Sequence, residues 1–267
     1  MTLTTTAKEF IRSRLNREQI ERLKSFQGLR YRRTQAVLWS LLFGRRLNVL
    51  ATVYNSDKWN THWYTQHYQT HFAPLRRRRL NLLEIGIGGY DDPQQGGASL
   101  RMWRTYFPKA RIFGIDIHDK RLHDEPRIRT FQGSQVDLEF LERVLGEIGQ
   151  VDIVIDDGSH QNEHVLRTFE FLFPRLAPNG IYAIEDTQTS YWPNWGGSSV
   201  DLNRKDTSMG MAKSLVDCLN HQELRIPGYV PTYLDEHVVG LHFYHSLVFI
   251  QKGRNTERTN IPLETPS

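Results

Sequence analysis

The sequence predicts an α/β protein: a doubly wound, Rossmann-like, mostly parallel sheet with an antiparallel late strand and an N-terminal helical extension. Two observations carry this. From residue 80 onward, short apolar runs alternate with amphipathic segments at the spacing of βαβ units. Two of those runs also end in acid. Residues 151–155 run into Asp156-Asp157-Gly158-Ser159-His160, and residues 180–184 run into Glu185-Asp186. In an open parallel sheet, ligands bind outside the carboxyl ends of the strands. Asp157, Glu185 and Asp186 are therefore expected in one place, where three carboxylates repel unless a cation sits among them.

Taken in order, residues 6–53 read as helical, with Ile11, Leu15, Ile20, Leu23 and Phe26 at roughly helical spacing. Seven arginines between Arg12 and Arg33 make this extension basic. A solvated helix face accounts for them; a phosphate or partner-subunit contact is the sharper alternative. Trp39, Leu42 and Phe43 suit packing against another subunit, so a homo-oligomer built through these helices is expected. Arg76-Arg77-Arg78-Arg79 reads as a solvated lead-in, because no interleaved aromatic platform for nucleic acid accompanies it. The expected strands are residues 80–85, 111–115, 127–131, 151–155 and 180–184. Helices are expected at 98–106, 138–145, 164–173 and 208–219. Residues 240–250 read as one late strand, ended by Lys252-Gly253, and the tail is polar. The expected organisation is an extension over 1–53, the α/β domain over 54–253 and a tail over 254–267.

With 267 residues, 39% of them hydrophobic, the chain can build one large core. A net charge of +4 permits nucleic-acid or membrane contact without demanding either. The single cysteine, Cys218, excludes an internal disulfide framework and a cysteine-based zinc site, and suits a reducing compartment. No continuous apolar stretch precedes Arg12, and the run at 36–43 is far shorter than the ~20 residues of a membrane span. A cytoplasmic protein is expected, with no nucleic-acid partner.

Glu84-Ile85-Gly86-Ile87-Gly88-Gly89 lies where the first strand meets a turn, and glycines there let a ligand approach the backbone. Asp116 ends the second strand and can accept both hydroxyl protons of an adenosine ribose. Nicotinamide enzymes share this geometry. Here, however, the third glycine is missing and a polar insert, residues 91–97, separates the turn from the helix. A pyrophosphate needs the helix N-terminus directly after the turn; a cofactor without phosphate does not. Glu84 beside the glycines also fits S-adenosylmethionine better.

At these residues the chain resembles the class I S-adenosylmethionine-dependent methyltransferases. More narrowly, it resembles the metal-dependent sugar O-methyltransferases of macrolide and other glycosylated natural-product pathways. The likeness covers about residues 54–253. It rests on Ser56-Asp57-Lys58-Trp59, His62-Trp63-Tyr64-Thr65, the Glu84–Gly88 turn, Asp116, Gly133-Ser134-Gln135, Asp156 to His160, Glu185-Asp186-Thr187 and the stretch 242–249. The resemblance implies magnesium held by Asp157, Glu185 and Asp186, with His160 as the base. It also places Thr65 and Ser99 near the methionine end of the cofactor. The family's macrolide members carry a longer N-terminal domain than this chain.

The residues support that chemistry on their own terms. Hard oxygen donors favour magnesium, which keeps positions open for two neighbouring hydroxyls of a sugar. An imidazole such as His160 suits general-base work near neutrality. Ser134 and Gln135, after the third strand, are expected near the adenine, although loop polarity explains them almost as well. Tyr191, Trp192 and Trp195 lie on a glycine-punctuated loop and read as a lid that stacks on sugar faces, or as packing beneath a long loop. Plainer roles stay open: Asp157 and Asp186 as helix N-caps, His160 as a structural hydrogen-bonder, Asp156 as support behind the site. His62, His67 and His71 do not share a helix face at ligand spacing. The resemblance and these residues together point to a magnesium- and S-adenosylmethionine-dependent O-methyltransferase acting on a sugar hydroxyl of a glycosylated natural product or glycan, with a small-molecule sugar-bearing acceptor. A nicotinamide-dependent oxidoreductase and an RNA-binding or RNA-modifying methyltransferase are the alternatives.

Overall fold

The computed structural model describes Leu38 and residues 42–259. Most of the expected N-terminal extension, including Trp39 and the arginines up to Arg33, lies outside the described residues. Its described end is α1, Leu47–Tyr54, which straddles the boundary expected at residue 53. Leu47, Leu50 and Ala51 are buried against the same core as Trp103, so this helix is part of the packed body of the domain. A second helix, α2 (Thr65–Phe72), follows.

Seven strands form one sheet: β1 Asn81–Ile85, β2 Arg111–Asp116, β3 Ile128–Gln132, β4 Val151–Asp156, β5 Leu176–Glu185, β6 Val238–Tyr244 and β7 Leu247–Lys252. Their spatial order is β3-β2-β1-β4-β5-β7-β6. The first five are parallel, and β7 inserts antiparallel between β5 and β6. The crossovers contain α3 (Ala98–Tyr106), α4 (Leu138–Ile148) and α5 (Asn162–Arg175); α6 (Ser208–Leu219) and α7 (Tyr233–His237) precede the final hairpin.

Period-2 alternation divides the core between the two faces. Leu82, Ile112, Ile153 and Phe249 point towards α1, α2 and α3, where Phe72, Trp103 and Tyr106 are fully buried. Leu83, Phe113, Val154 and Tyr182 point the other way, onto α4, α5 and α6. Apolar residues on both faces explain why β1, β4 and β5 read as near-continuous hydrophobic runs.

The single strand expected at 240–250 is a hairpin. Tyr244 pairs with Leu247 across His245-Ser246, and Ser246 takes the left-handed conformation at φ 59°. No Asn-Gly or Asp-Gly signalled that turn.

Register places the chemistry. Ile85 pairs with Asp156, and Asp156 pairs with Ile184. The residues just beyond these strands, Gly86, Asp157 and Glu185-Asp186, therefore emerge along one rim.

Candidate active site

The crevice opens where β1 and β4 part company, the point at which strand order reverses. On its β1 side the glycine turn bends sharply: Gly86 has φ 84° and Gly88 φ 76°. A Cβ on Gly86 would lie 2.0 Å from the Asp157 carbonyl oxygen, so the turn and the acidic loop touch backbone to backbone. At Gly88 the nearest atom to a Cβ would be 4.0 Å away; the space there is open. Asp116 ends β2 and accepts from the Ile87 amide (3.0 Å) and the His118 amide (2.9 Å), which fixes its carboxylate at the rim. Glu84 is fully buried and accepts from Ser99 Oγ at 2.8 Å. The insert at 91–97 is held by Lys120, a buried ammonium that donates to the carbonyls of Asp92 and Gln95.

On the β4–β5 side, Asp157, His160 and Asp186 bring three donor atoms within 4.8 Å of one another. His160 Nε2 stands 3.6 Å from Asp186 Oδ2 and 4.0 Å from Asp157 Oδ1. His160 (φ 56°) and Asp186 (φ 52°) both hold left-handed backbone, a cost of about 1–2 kcal/mol each that the surrounding packing sustains. Neither aspartate caps a helix through its side chain: α5 is capped at Gln161, and Asp186 heads a 3-10 turn with no side-chain cap bond. The helix-cap alternative is thus not what the structure shows.

Three partners of the acids were not assigned roles from sequence. Lys58 is fully buried, with Nζ 2.7 Å from Asp157 Oδ2, 2.7 Å from Glu185 Oε1 and 3.2 Å from Glu84 Oε1. Tyr64 donates to Asp186 Oδ1 and Tyr68 to Glu185 Oε1, each at 2.6 Å. Tyr64, the N-cap of α2, and Tyr68 and Phe72 within it repeat every four residues and share one face; the two tyrosines reach the acids while Phe72 packs against Trp103 in the core. His62 also arrives, 3.8 Å from Asp186, whereas His67 and His71 pack against Tyr244.

Burial alone would lower Lys58, but Asp157, Glu185 and Glu84 outweigh it and hold the ammonium well above its ordinary range. Burial would likewise raise Asp186; the Tyr64 hydroxyl and the nearby His160 and His62 rings keep its carboxyl below the ordinary range. Asp156, behind the site, is pushed up to about 6 by burial. Its folded-state value lies above the unfolded one, so the extra proton favours the folded state fully below about pH 4. That advantage is lost as pH rises towards about 6. Asp156→Asn removes the titration, and relative to wild type it is expected to gain up to about 3 kcal/mol between pH 4 and pH 7. Melting curves across that range are the check.

Gln135, expected near the adenine, is buried and fully hydrogen-bonded. Its amide nitrogen donates to Asp156 and Thr168, and its carbonyl accepts from the Ser159 amide. Packing has claimed every polar atom of that side chain. Ser134 stays on the loop and accepts from the Val136 amide at 3.4 Å. Thr65 is buried with its hydroxyl unpartnered. The aromatic loop forms two 3-10 turns, Thr187–Tyr191 and Pro193–Trp195. Trp195 has its ring centre 6.1 Å from that of His160, Trp192 is half exposed, and Tyr191 is partly exposed. Buried Asn162 fastens the loop, donating to the Thr189 and Trp195 carbonyls and accepting from Ser190 Oγ and the Ser208 amide.

The residues fit both expected groups. The open cradle at Gly88 and the unpaired Thr65 hydroxyl suit an S-adenosyl ligand, and a partly exposed set of carboxylate oxygens beside an imidazole suits a hard divalent cation.

The strand order is that of the class I methyltransferase fold, and a family profile described as a methyltransferase domain matches residues 91–187. The chain is 46% identical over 245 residues to the mycinamicin VI 2''-O-methyltransferase of Micromonospora griseorubida, covering 90% of this chain and 61% of that protein. It is 51% identical over 214 residues to the demethylmacrocin O-methyltransferase of Streptomyces fradiae, covering 79% and 54%. Among solved structures, the MycE methyltransferase from the mycinamycin biosynthetic pathway, in complex with Mg, SAH and Mycinamycin VI, superposes with a TM-score of 0.78 at 48% identity, over 83% of this chain and 56% of that one. The chain thus spans little more than half the length of these relatives. They support neither the nicotinamide nor the RNA alternative. Among the described residues, no helix is long and apolar enough to cross a membrane.

Proposed function

We propose that this protein is a magnesium- and S-adenosylmethionine-dependent O-methyltransferase acting on a sugar hydroxyl of a glycosylated natural product. The meeting of Asp157, His160 and Asp186 beside the glycine turn carries the reading. The activities named for the relatives support it.

Gly86 and Gly88 would admit the donor, Asp116 would take its ribose hydroxyls, and Glu84, Ser99, Thr65 and Ser134 would line the rest of its cleft. Asp157 and Asp186 would hold magnesium, with Glu185 as the third carboxylate. When bound, magnesium supplies a Lewis acid that acidifies and orients the acceptor hydroxyl, and S-adenosylmethionine supplies the methyl group. His160 accepts the hydroxyl proton at Nε2, and the carboxylates of Asp186 and Asp157 stabilise the imidazolium that results. Trp195, Trp192 and Tyr191 wall the acceptor side, where flat rings stack on a sugar and exclude water. Holding donor and acceptor in line supplies much of the acceleration. The wider reading is a cytoplasmic homo-oligomer assembled through the helices of residues 1–53, with the catalytic domain over 54–253 and no nucleic-acid partner.

Calorimetric titration of S-adenosylmethionine, NAD and NADP into metal-stripped protein is the first test, followed by magnesium with wild type and Asp157→Ala. Micromolar S-adenosylmethionine binding and a magnesium signal lost in the variant are expected. Labelled methyl transfer to a panel of desmethyl macrolide glycosides then reads the acceptor. Binding of a nicotinamide cofactor alone would overturn the proposal.

A further inference from the structure

We propose that Lys58 is a resident cation of the acidic site: its ammonium holds Glu84, Asp157 and Glu185 together and leaves Asp157 Oδ1 and the Asp186 carboxylate on the open side of the site. The inference goes beyond the proposed reaction, since it concerns how the chain itself neutralises its acids.

The geometry separates an inner from an outer position. Nζ of Lys58 lies within 3.2 Å of carboxylate oxygens from three different strand ends, those of β1, β4 and β5. A cation coordinated by three carboxylates is what a metal would otherwise supply at that point. Lys58 and Glu84 are fully buried and Glu185 almost so, whereas the side chains of Asp157, His160 and Asp186 keep 16–24% of their surface exposed. Asp157 divides its two oxygens accordingly. Oδ2 faces Lys58, and Oδ1 faces His160 on the open side. Tyr68 completes the inner position by donating to the same Glu185 oxygen that Lys58 contacts. Without the ammonium, three acids would share one dry volume, a state that expels carboxylates or recruits another cation. Lys58 is therefore a positioning residue. It aims Asp157 outward, and through Glu84 it joins the donor side of the crevice to the metal side.

The test compares wild type, Lys58→Met and Lys58→Met/Glu185→Gln by thermal melting in EDTA and in saturating magnesium. In EDTA, Lys58→Met is expected to melt about 10 °C below wild type. Magnesium should then raise its Tm by about twice the wild-type shift, because the divalent ion takes up charge that the ammonium no longer balances. The double variant, with one acid fewer, should recover part of the EDTA loss. A purely packing role for the lysine stem would lower Tm without enlarging the magnesium shift. The proposal is overturned if Lys58→Met melts within about 2 °C of wild type in EDTA, or if magnesium shifts both proteins equally. Should Lys58→Met fail to fold, a folded double variant supports the inference and an unfolded one overturns it. A wild type that shows no magnesium shift would count against the metal-dependent reaction, and the EDTA comparison would still decide the role of Lys58.

Discussion

His160→Ala is expected to lower kcat by about 10²- to 10⁴-fold while leaving the affinity for S-adenosylmethionine within a few fold. About a quarter of the imidazole's surface is exposed, and its ring stands among Asp157, Asp186 and Trp195. Removing it takes away the imidazole that faces both carboxylates. The donor cradle on β1 is formed by other residues, Gly86, Gly88 and Asp116. The residue's left-handed backbone adds a second control. His160→Gly accepts φ 56° more readily than alanine does, so its Tm should exceed that of His160→Ala although both lose the base. Stability would then differ between the two variants while their rates stay equally low. Equal kcat for wild type and His160→Ala would remove the histidine from the proton transfer. Single-turnover rates with labelled donor make the comparison without interference from product release.

Much of this arrangement was written in strand ends. A parallel strand buried on both faces must be apolar throughout and must become polar where it leaves the sheet. The acids after Ile155 and Ile184 therefore reported both the end of a strand and the position of the crevice. What stayed hidden depended on distance along the chain. Lys58 is an ordinary charged residue in a polar segment; its burial follows from Glu84, Asp157 and Glu185, the farthest of them 127 positions away. No local pattern reports such a pairing. Gln135 shows a related ambiguity: a polar loop residue and a polar residue recruited to a buried carboxylate look alike in sequence. The hairpin at Tyr244–Leu247 escaped because a serine, not glycine or asparagine, adopts the positive φ its turn requires. The helix-cap reading of Asp157 and Asp186 was reasonable from residue type, and failed because the chain after each strand enters a loop or a 3-10 turn before any long helix begins.

Gly86→Ala is expected to cost at least about 3 kcal/mol of stability and to lower Tm by roughly 10 °C, with donor binding lost in the fraction that remains folded. Two terms act together. At φ 84° an L side chain is strained whatever surrounds it. The added Cβ also meets the carbonyl oxygen of Asp157 at 2.0 Å and its carbon at 2.7 Å, so relief requires the β4 loop to move. That loop begins with the Asp157 amide donating to the Ile85 carbonyl at 2.9 Å. Displacing it therefore breaks the junction between β1 and β4 and shifts Asp157 away from Lys58 and His160. Gly88→Ala separates the two terms. Its φ of 76° carries the same backbone strain, but the nearest atom to its Cβ is the Gly96 Cα at 4.0 Å, and nothing in the protein needs to move. The Gly88 variant should therefore lose only about 1–2 kcal/mol of stability while its methyl occupies space the proposed donor would enter. A large stability loss at residue 86 beside a binding loss with little unfolding at residue 88 would distinguish glycines required by the fold from glycines required by the ligand. If both variants bind S-adenosylmethionine as wild type does, the cradle is not where the donor sits.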